Sequence, residues 1–73
     1  MDLTERITID PEICHGKPTI RGMRIRVIDI LDLLAARLTA EEVLEELPDL
    51  EMEDIQAALS YVAHYMDHPR LAA

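Results

Sequence analysis

Four cationic side chains are concentrated in one short stretch of an otherwise acidic chain. Cations in such a cluster bind the phosphates of DNA, or they form a solvated strand edge that discourages aggregation. The chain of 73 residues has a formal net charge of −8, so nucleic acid could approach it only through this stretch. Both interpretations stay open. The four residues, which no acidic residue interrupts, are Lys17, Arg21, Arg24 and Arg26.

Patterns for catalysis and metal binding are much weaker. The pair Cys14-His15 stands alone, while His64 and His68 share a helix face four residues apart. A structural zinc site uses four ligands, and a small buried cysteine with two surface histidines explains the same residues. No nucleophile elbow, phosphate-binding glycine loop or metalloprotease motif occurs. The sequence therefore predicts a protein that is not an enzyme and has no catalytic residues, metal or cofactor.

Composition indicates one small domain with an aliphatic core. The chain contains no Phe and no Trp, so Leu, Ile, Val, Ala and four Met must fill the interior. No apolar run approaches the length of a membrane span, and the N-terminus lacks the basic and apolar regions of a signal peptide. The single cysteine excludes an intrachain disulfide. We therefore expect a cytoplasmic protein without membrane contact.

The N-terminal third predicts a two-stranded β-ribbon. Residues 1–6 are expected to be flexible, and the alternation in Ile7–Ile9 is typical of a short strand. A second alternating segment, Met23–Val27, would place its arginines outward and its aliphatic side chains towards the helices. Since a lone strand is unstable, we expect these two segments to pair as an antiparallel ribbon.

The loop between the predicted strands contains both glycines of the chain. Gly16 and Gly22 can adopt a positive φ without steric cost, which suits turn positions. Pro18 fixes its own φ and favours an extended conformation at Lys17. We therefore predict a structural role in the loop for Gly16, Pro18 and Gly22.

Three helices are predicted after the ribbon. The first begins near Val27 or Ile28 and ends near Arg37. Thr39 and Glu42 form a capping box at the start of the second, which Pro48 ends at Leu47. The third extends from Glu51–Met52 to about Asp67. The predicted fold is mainly α, a helix-turn-helix-like three-helix bundle over 28–67 after a ribbon and loop over 7–27, with a tail at 68–73.

The helical part is acidic and carries a long apolar stripe. Residues 29–73 contain two cations and eleven anions, which suits a basic protein partner. Carboxylates at the start of the third helix argue against that helix as a DNA-reading element. The stripe from Ile55 to Met66 is longer than one small bundle can cover, which predicts a homodimer. The glutamates expected to contact a basic partner are Glu45, Glu46 and Glu53.

Several segments together resemble one prokaryotic family. They are the run Ile9–Val27, with its Gly-Lys-Pro and Arg-Gly-x-Arg-Ile elements, and Leu33–Ala35, Glu41–Leu44, Leu47–Leu50 and Asp54–Tyr61. The chain resembles domain-of-unknown-function family 433 from residue 7 to about 66. It differs from the family pattern at His15, where glycine is common, and at Glu51, where Thr or Ser commonly caps the third helix.

The resemblance carries expectations for fold and function. It implies a homeodomain-like three-helix fold and the role of a VapB-type antitoxin that neutralises a PIN-like nuclease toxin, with DNA-binding autoregulation as a further activity. It implies no catalytic residues. Two alternatives remain, a stand-alone DNA-binding regulator that uses the basic stretch 17–26 and a small dimeric interaction module.

Overall fold

A computed structural model describes residues 3–66 of the chain. It contains three α-helices and a two-stranded antiparallel sheet, in agreement with the mainly α prediction. A short 3₁₀ helix, Leu3–Arg6, precedes the sheet. The elements are β1 (Ile7–Thr8), β2 (Thr19–Ile20), α1 (Val27–Ala35), α2 (Ala40–Glu46) and α3 (Met52–Tyr65).

The predicted ribbon pairing is wrong. β1 pairs with β2, with Ile7 opposite Ile20 and Thr8 opposite Thr19. The segment expected to pair with β1 instead lies on the other side of β2, where Arg26 bridges to Thr19. The two residues of β2 are fully buried, so the central position belongs to this short segment rather than to the alternating one.

A tight turn after β2 explains this arrangement. The backbone N–H of Met23 donates to the carbonyl of Ile20, and both central residues have positive φ, 48° at Arg21 and 73° at Gly22. Positive φ at both central residues of a β-turn is the pattern of a type I′ turn. The chain therefore reverses at Arg21-Gly22, earlier than the sequence pattern indicated, and Gly22 has the predicted positive φ.

A second left-handed segment lies in the preceding loop. Cys14, His15 and Gly16 have φ of 51°, 59° and 82°, and Lys17 then returns to an extended conformation. Gly16 has the positive φ expected of it, and the extended Lys17 agrees with the restriction that Pro18 imposes. A left-handed backbone is strained for a non-glycine residue, so glycine would fit the position of His15 at lower conformational cost.

The helix boundaries follow the predicted signals closely. Thr39 Oγ1 accepts from the backbone N–H of Glu42, and Glu42 Oε1 accepts from the backbone N–H of Thr39, which confirms the capping box. α1 begins at Val27, as predicted, but ends at Ala35 rather than Arg37. α2 ends at Glu46, next to the predicted stop at Leu47. α3 is described to Tyr65, and the predicted tail 68–73 lies outside the described residues.

The core forms where β2 meets the three helices. It includes Ile20, which the sequence analysis did not place in a strand. It also includes Asp54, a fully buried carboxylate. Among residues 3–66, no helix is long and apolar enough to cross a membrane. The buried hydrophobic cluster consists of Ile20, Val27, Ile30, Val43, Leu50, Ile55 and Ala58.

The first described residues are part of this arrangement. The sequence predicted a flexible segment over 1–6, whereas the 3₁₀ helix Leu3–Arg6 packs against α3. Arg6 forms ion pairs with Glu51 and Asp54 at the start of that helix. The packed structure therefore begins before the predicted boundary at residue 7.

Candidate protein-binding surfaces

The structure divides the predicted cationic stretch into paired and free side chains. The Arg21 guanidinium donates to both carboxylate oxygens of Asp54, and Arg26 pairs with Asp29 at 2.7 Å. Lys17 and Arg24 are exposed and form no ion pair within residues 3–66. Only two of the four predicted DNA-binding cations thus remain available without breaking an internal contact.

Asp54 lies at the centre of the polar cluster and is fully buried. Its Oδ1 accepts from Arg6 Nη1 at 2.8 Å and from Arg21 Nε at 3.0 Å. Its Oδ2 accepts from Arg21 Nη2 and from the backbone N–H of Glu51, both at 2.8 Å. Four donors surround one carboxylate, which satisfies the hydrogen-bonding capacity of a buried anion.

Opposing effects act on the pKa of Asp54. Burial alone would raise this pKa, because a carboxylate loses its hydration inside the protein. The hydrogen bonds from Arg21, from the Glu51 backbone and from Arg6 outweigh burial and hold the pKa below its usual range. Asp54 is therefore ionised at neutral pH and fastens the 3₁₀ helix and the β2 turn to the start of α3.

Asp29 stabilises the start of α1 in a similar way, but with a single arginine. Its Oδ2 accepts from the backbone N–H of Arg26 at 2.9 Å, and its Oδ1 pairs with the Arg26 side chain. The hydrogen bond from the Arg26 guanidinium lowers the pKa of Asp29. Arg26, which the sequence placed on an outward strand face, therefore helps to fix the start of α1 instead.

A group of exposed carboxylates covers α2 and both ends of its connection to α3. Glu45 and Glu46 occupy the last turn of α2, and Glu53 the first turn of α3. None of them forms an ion pair within residues 3–66. We call the following six residues the acidic surface: Glu41, Glu42, Glu45, Glu46, Asp49 and Glu53, all exposed.

An apolar groove lies on the other side of α3, between α1 and the loop that precedes β2. Its volume is about 280 Å³, and Lys17 and Arg26 stand at its rim. Three of its lining side chains, Val27, Ile28 and Leu31, lie on α1, and Ile28 is 45% exposed. The apolar lining consists of Pro18, Val27, Ile28, Leu31 and Val62.

The second half of α3 leaves large apolar side chains uncovered. The fully buried residues of this helix end at Ala58, whereas Leu59 is 46% and Met66 57% exposed. Tyr61 and Tyr65 stack with their ring centroids 6.0 Å apart, and Tyr65 is 75% exposed. The apolar groove and this half of α3 meet at Val62.

No metal centre forms among the described residues. Within 3–66, no three His, Cys, Asp or Glu side chains are placed to hold an ion together. The Cys14 thiol is half-buried and lies 3.8 Å from the carbonyl of Arg24, so it braces the loop. His64 is exposed on α3, and His68 lies outside the described range.

Arg6 and Asp54 are the residues that sequence reasoning missed. Arg6 had been assigned to a flexible segment, and Asp54 to an exposed acidic helix start. One signal was present, because an acidic residue three positions after Glu51 can accept from its backbone N–H as a cap. The contacts with Arg6 and Arg21 span 48 and 33 residues, and no local pattern indicates them.

Comparisons with known proteins identify relatives without an assigned activity. The family model described as "Protein of unknown function (DUF433)" matches residues 7–62. The chain is similar to the uncharacterized protein y4eO of Sinorhizobium fredii, with 39% identity over 57 residues. This alignment covers 78% of the chain but only 26% of that relative, so the chain corresponds to about a quarter of its length. No solved structure matches the chain at a significant level.

Proposed function

The chain belongs to the DUF433 family, and we propose that it is a non-enzymatic antitoxin that binds a basic, PIN-like nuclease toxin through the acidic surface. The antitoxin role and the homeodomain-like arrangement of the helices are implied by the sequence resemblance, and the cytoplasmic setting is the expectation from the single cysteine. The structure contributes a defined candidate surface for the partner.

The observation that carries the proposal is the separation of two kinds of carboxylate. Asp29, Glu51 and Asp54 pair with arginines of the same chain. The six carboxylates of the acidic surface have no such partner among residues 3–66 and are concentrated in a short part of the chain. A concentrated surface of one sign attracts a partner of the opposite sign and accelerates its association.

Nuclease toxins offer suitable chemistry for this surface. A protein that cleaves a polyanion needs cations around its substrate-binding site, because phosphate contacts dominate nucleic-acid affinity. An acidic surface that covers those cations would exclude RNA by competing for them. Inhibition then requires no catalytic residue on the antitoxin.

Charge reversal on the acidic surface tests this placement. We expect Glu45→Lys with Glu46→Lys to slow association with a PIN-like nuclease toxin about tenfold at low salt, and to flatten the salt dependence. Adding Glu53→Lys should enlarge the effect. Lysines at the end of α2 favour the helix dipole, so the fold should tolerate the change. Stopped-flow association and nuclease inhibition give the two readouts.

Glu5→Lys with Glu12→Lys provides the matched control. Both residues are exposed, lie outside the acidic surface and give the same change in net charge. Association that slows equally in both double variants would indicate a general charge effect and contradict the placement. Failure of the wild-type chain to inhibit the nuclease would contradict the antitoxin role itself.

DNA binding through the cationic stretch remains the second candidate. Lys17 and Arg24 favour it, because they are exposed and have no acidic partner among the described residues. The internal pairing of Arg21 and Arg26 reduces the cations that this surface can offer. DNA affinity should therefore be lower than four free cations would give.

A further inference from the structure

One side of α3 has the residue spacing of a coiled-coil seam, and its residues Met52, Ile55 and Val62 pack on the domain's own core. Its apolar side chains recur at alternating intervals of three and four residues, which places them on one side of the helix. Ile55 is buried in the domain itself, whereas Leu59 and Met66 remain half exposed. We call this set the α3 seam: Met52, Ile55, Leu59, Val62 and Met66.

The positions that flank the α3 seam carry no charge. They are Gln56 and Ala63 on one side and Ala58 and Tyr65 on the other. Ala58 is buried inside the domain, so the uncharged surface consists of Gln56, Ala63 and Tyr65 beside Leu59 and Met66. Depletion of charge is typical of the centre of a protein interface.

We propose that a second copy of this chain packs on the α3 seam and the adjoining apolar groove, and that the protein is a two-fold homodimer through this face. A two-fold interface requires that one surface contain both the protruding and the receiving elements. Met66 protrudes and the groove beside Val62 receives, and in this arrangement Leu59 lies near the two-fold axis. Because both belong to the same face, two identical copies can interlock.

The charges at the edge of the face support a second copy rather than an unrelated protein. Lys17 stands at the rim of the groove, and Asp32 lies one helical turn after the groove residue Ile28 on α1. Both are exposed, and neither forms an ion pair within residues 3–66. A face edged by one free cation and one free anion is complementary to itself, since a two-fold axis can bring the cation of one copy towards the anion of the other.

Two variants at Leu59 test the dimer. Leu59→Lys and Leu59→Glu each place like charges near the two-fold axis, and we expect each to raise the dimer dissociation constant about tenfold or more. An equimolar mixture of the two variants should regain dimers, because opposite charges then meet. Sedimentation equilibrium between 1 and 100 μM, chosen to bracket common dimer affinities of about 1 μM, measures all three samples.

The neighbouring Ser60 supplies matched controls. It is exposed and points to a different side of α3, so Ser60→Lys and Ser60→Glu should leave the dissociation constant unchanged. Circular dichroism verifies that the helices persist. Wild-type protein that sediments at 8.3 kDa throughout overturns the proposal. Equal weakening by the Ser60 variants, or a mixture that stays monomeric, overturns it as well.

The outcome is separable from the antitoxin proposal. The α3 seam and the acidic surface share no residue, and Leu59 lies outside the glutamates that the nuclease assay changes. A monomer that still inhibits the nuclease would contradict the dimer alone. A dimer that fails to inhibit it would contradict the antitoxin alone.

Discussion

The two ends of α3 differ in the contacts that their side chains make. At its N-terminal end, the chain satisfies a buried carboxylate with donors from the 3₁₀ helix, the β2 turn and Glu51, the residue that precedes the helix. At its C-terminal end, beyond Ala58, the large side chains of Leu59, Tyr65 and Met66 are between 46% and 75% exposed. The first end is complete within one chain, whereas the second presents a surface that another molecule can bury.

The difference follows from the limited size of the apolar core in a small domain. In this short chain, the buried aliphatic side chains pack where β2 meets the helices. The start of α3 is therefore held by a polar cluster, which costs desolvation but fixes two loops in one geometry. The remaining apolar side chains of α3 stay available for contacts with a partner.

The sharpest test of the polar end is the removal of its central carboxylate. Asp54→Ala leaves Arg6 and Arg21 without their shared partner and should lower the free energy of unfolding by about 3 kcal/mol. The exposed neighbour provides the control, since Glu53→Ala should change it by less than about 0.5 kcal/mol. Urea unfolding measures both. Equal effects of the two variants would mean that Asp54 contributes as a surface residue.

Local signals in the sequence predicted the helices but not the cluster that holds them. The capping box at Thr39 and Glu42 and the stop at Pro48 act within a few residues, so their structural consequence is visible in the sequence. The partners of Asp54 lie 33 and 48 residues away. Only the packed structure brings them together.

The strand pairing failed for a related reason. The alternation in Met23–Val27 suggested a strand more strongly than Thr19-Ile20 did. The two-residue turn at Arg21-Gly22 places Thr19-Ile20 between β1 and Arg26, and their complete burial stabilises that position. A positive φ at Arg21 has no obvious sequence signal, because arginine rarely adopts it. The interaction surfaces depend on the same packing, which decides which arginines remain free.

Acid pH should destabilise the wild-type chain, because protonation of Asp54 weakens its contacts with Arg6 and Arg21 at the start of α3. The folded-state pKa of Asp54 lies below its usual range, so its stabilisation is present above the unfolded pKa of about 3.9 and is lost as pH falls through the folded value. The wild-type chain should therefore lose stability as pH falls below about 4.

Asp54→Asn provides the reference for this pH dependence. It cannot ionise at this position, so its unfolding free energy should fall less steeply with acid, although it starts lower at neutral pH. Asp29, whose pKa is also lowered, contributes equally to both proteins. Thermal unfolding from pH 7 to pH 2.5 gives the comparison, in a range that brackets the aspartate pKa of about 3.9. Parallel curves would show that Asp54 is not the group responsible.

The smallest expected effects on stability distinguish Arg21, which pairs with Asp54, from Arg24, which does not. Arg21→Ala removes two side-chain hydrogen bonds to Asp54 and should lower the Tm, though by less than Asp54→Ala, because Arg6 still pairs with the carboxylate. Arg24→Ala removes an exposed cation without an ion-pair partner among residues 3–66, so the Tm should stay unchanged. Scanning calorimetry of the two variants measures this difference.

The same two variants, Arg21→Ala and Arg24→Ala, also test which cations contribute to any DNA affinity. Each neutralised phosphate adds about 0.9 to the magnitude of the salt slope. A dimer offers at most four unpaired cations, Lys17 and Arg24 of each copy, and only the two arginines where each Lys17 faces Asp32 of the other copy. The slope of log affinity against log salt should therefore not exceed a magnitude of about 4. Arg24→Ala should reduce that magnitude by up to about 2 in a dimer, since two phosphate contacts are lost. Arg21→Ala, in a sample still folded at the assay temperature, should leave the slope unchanged. A steeper wild-type slope, or an equal loss from both variants, would mean that Arg21 leaves Asp54 to bind phosphate and that the polar end of α3 opens on DNA.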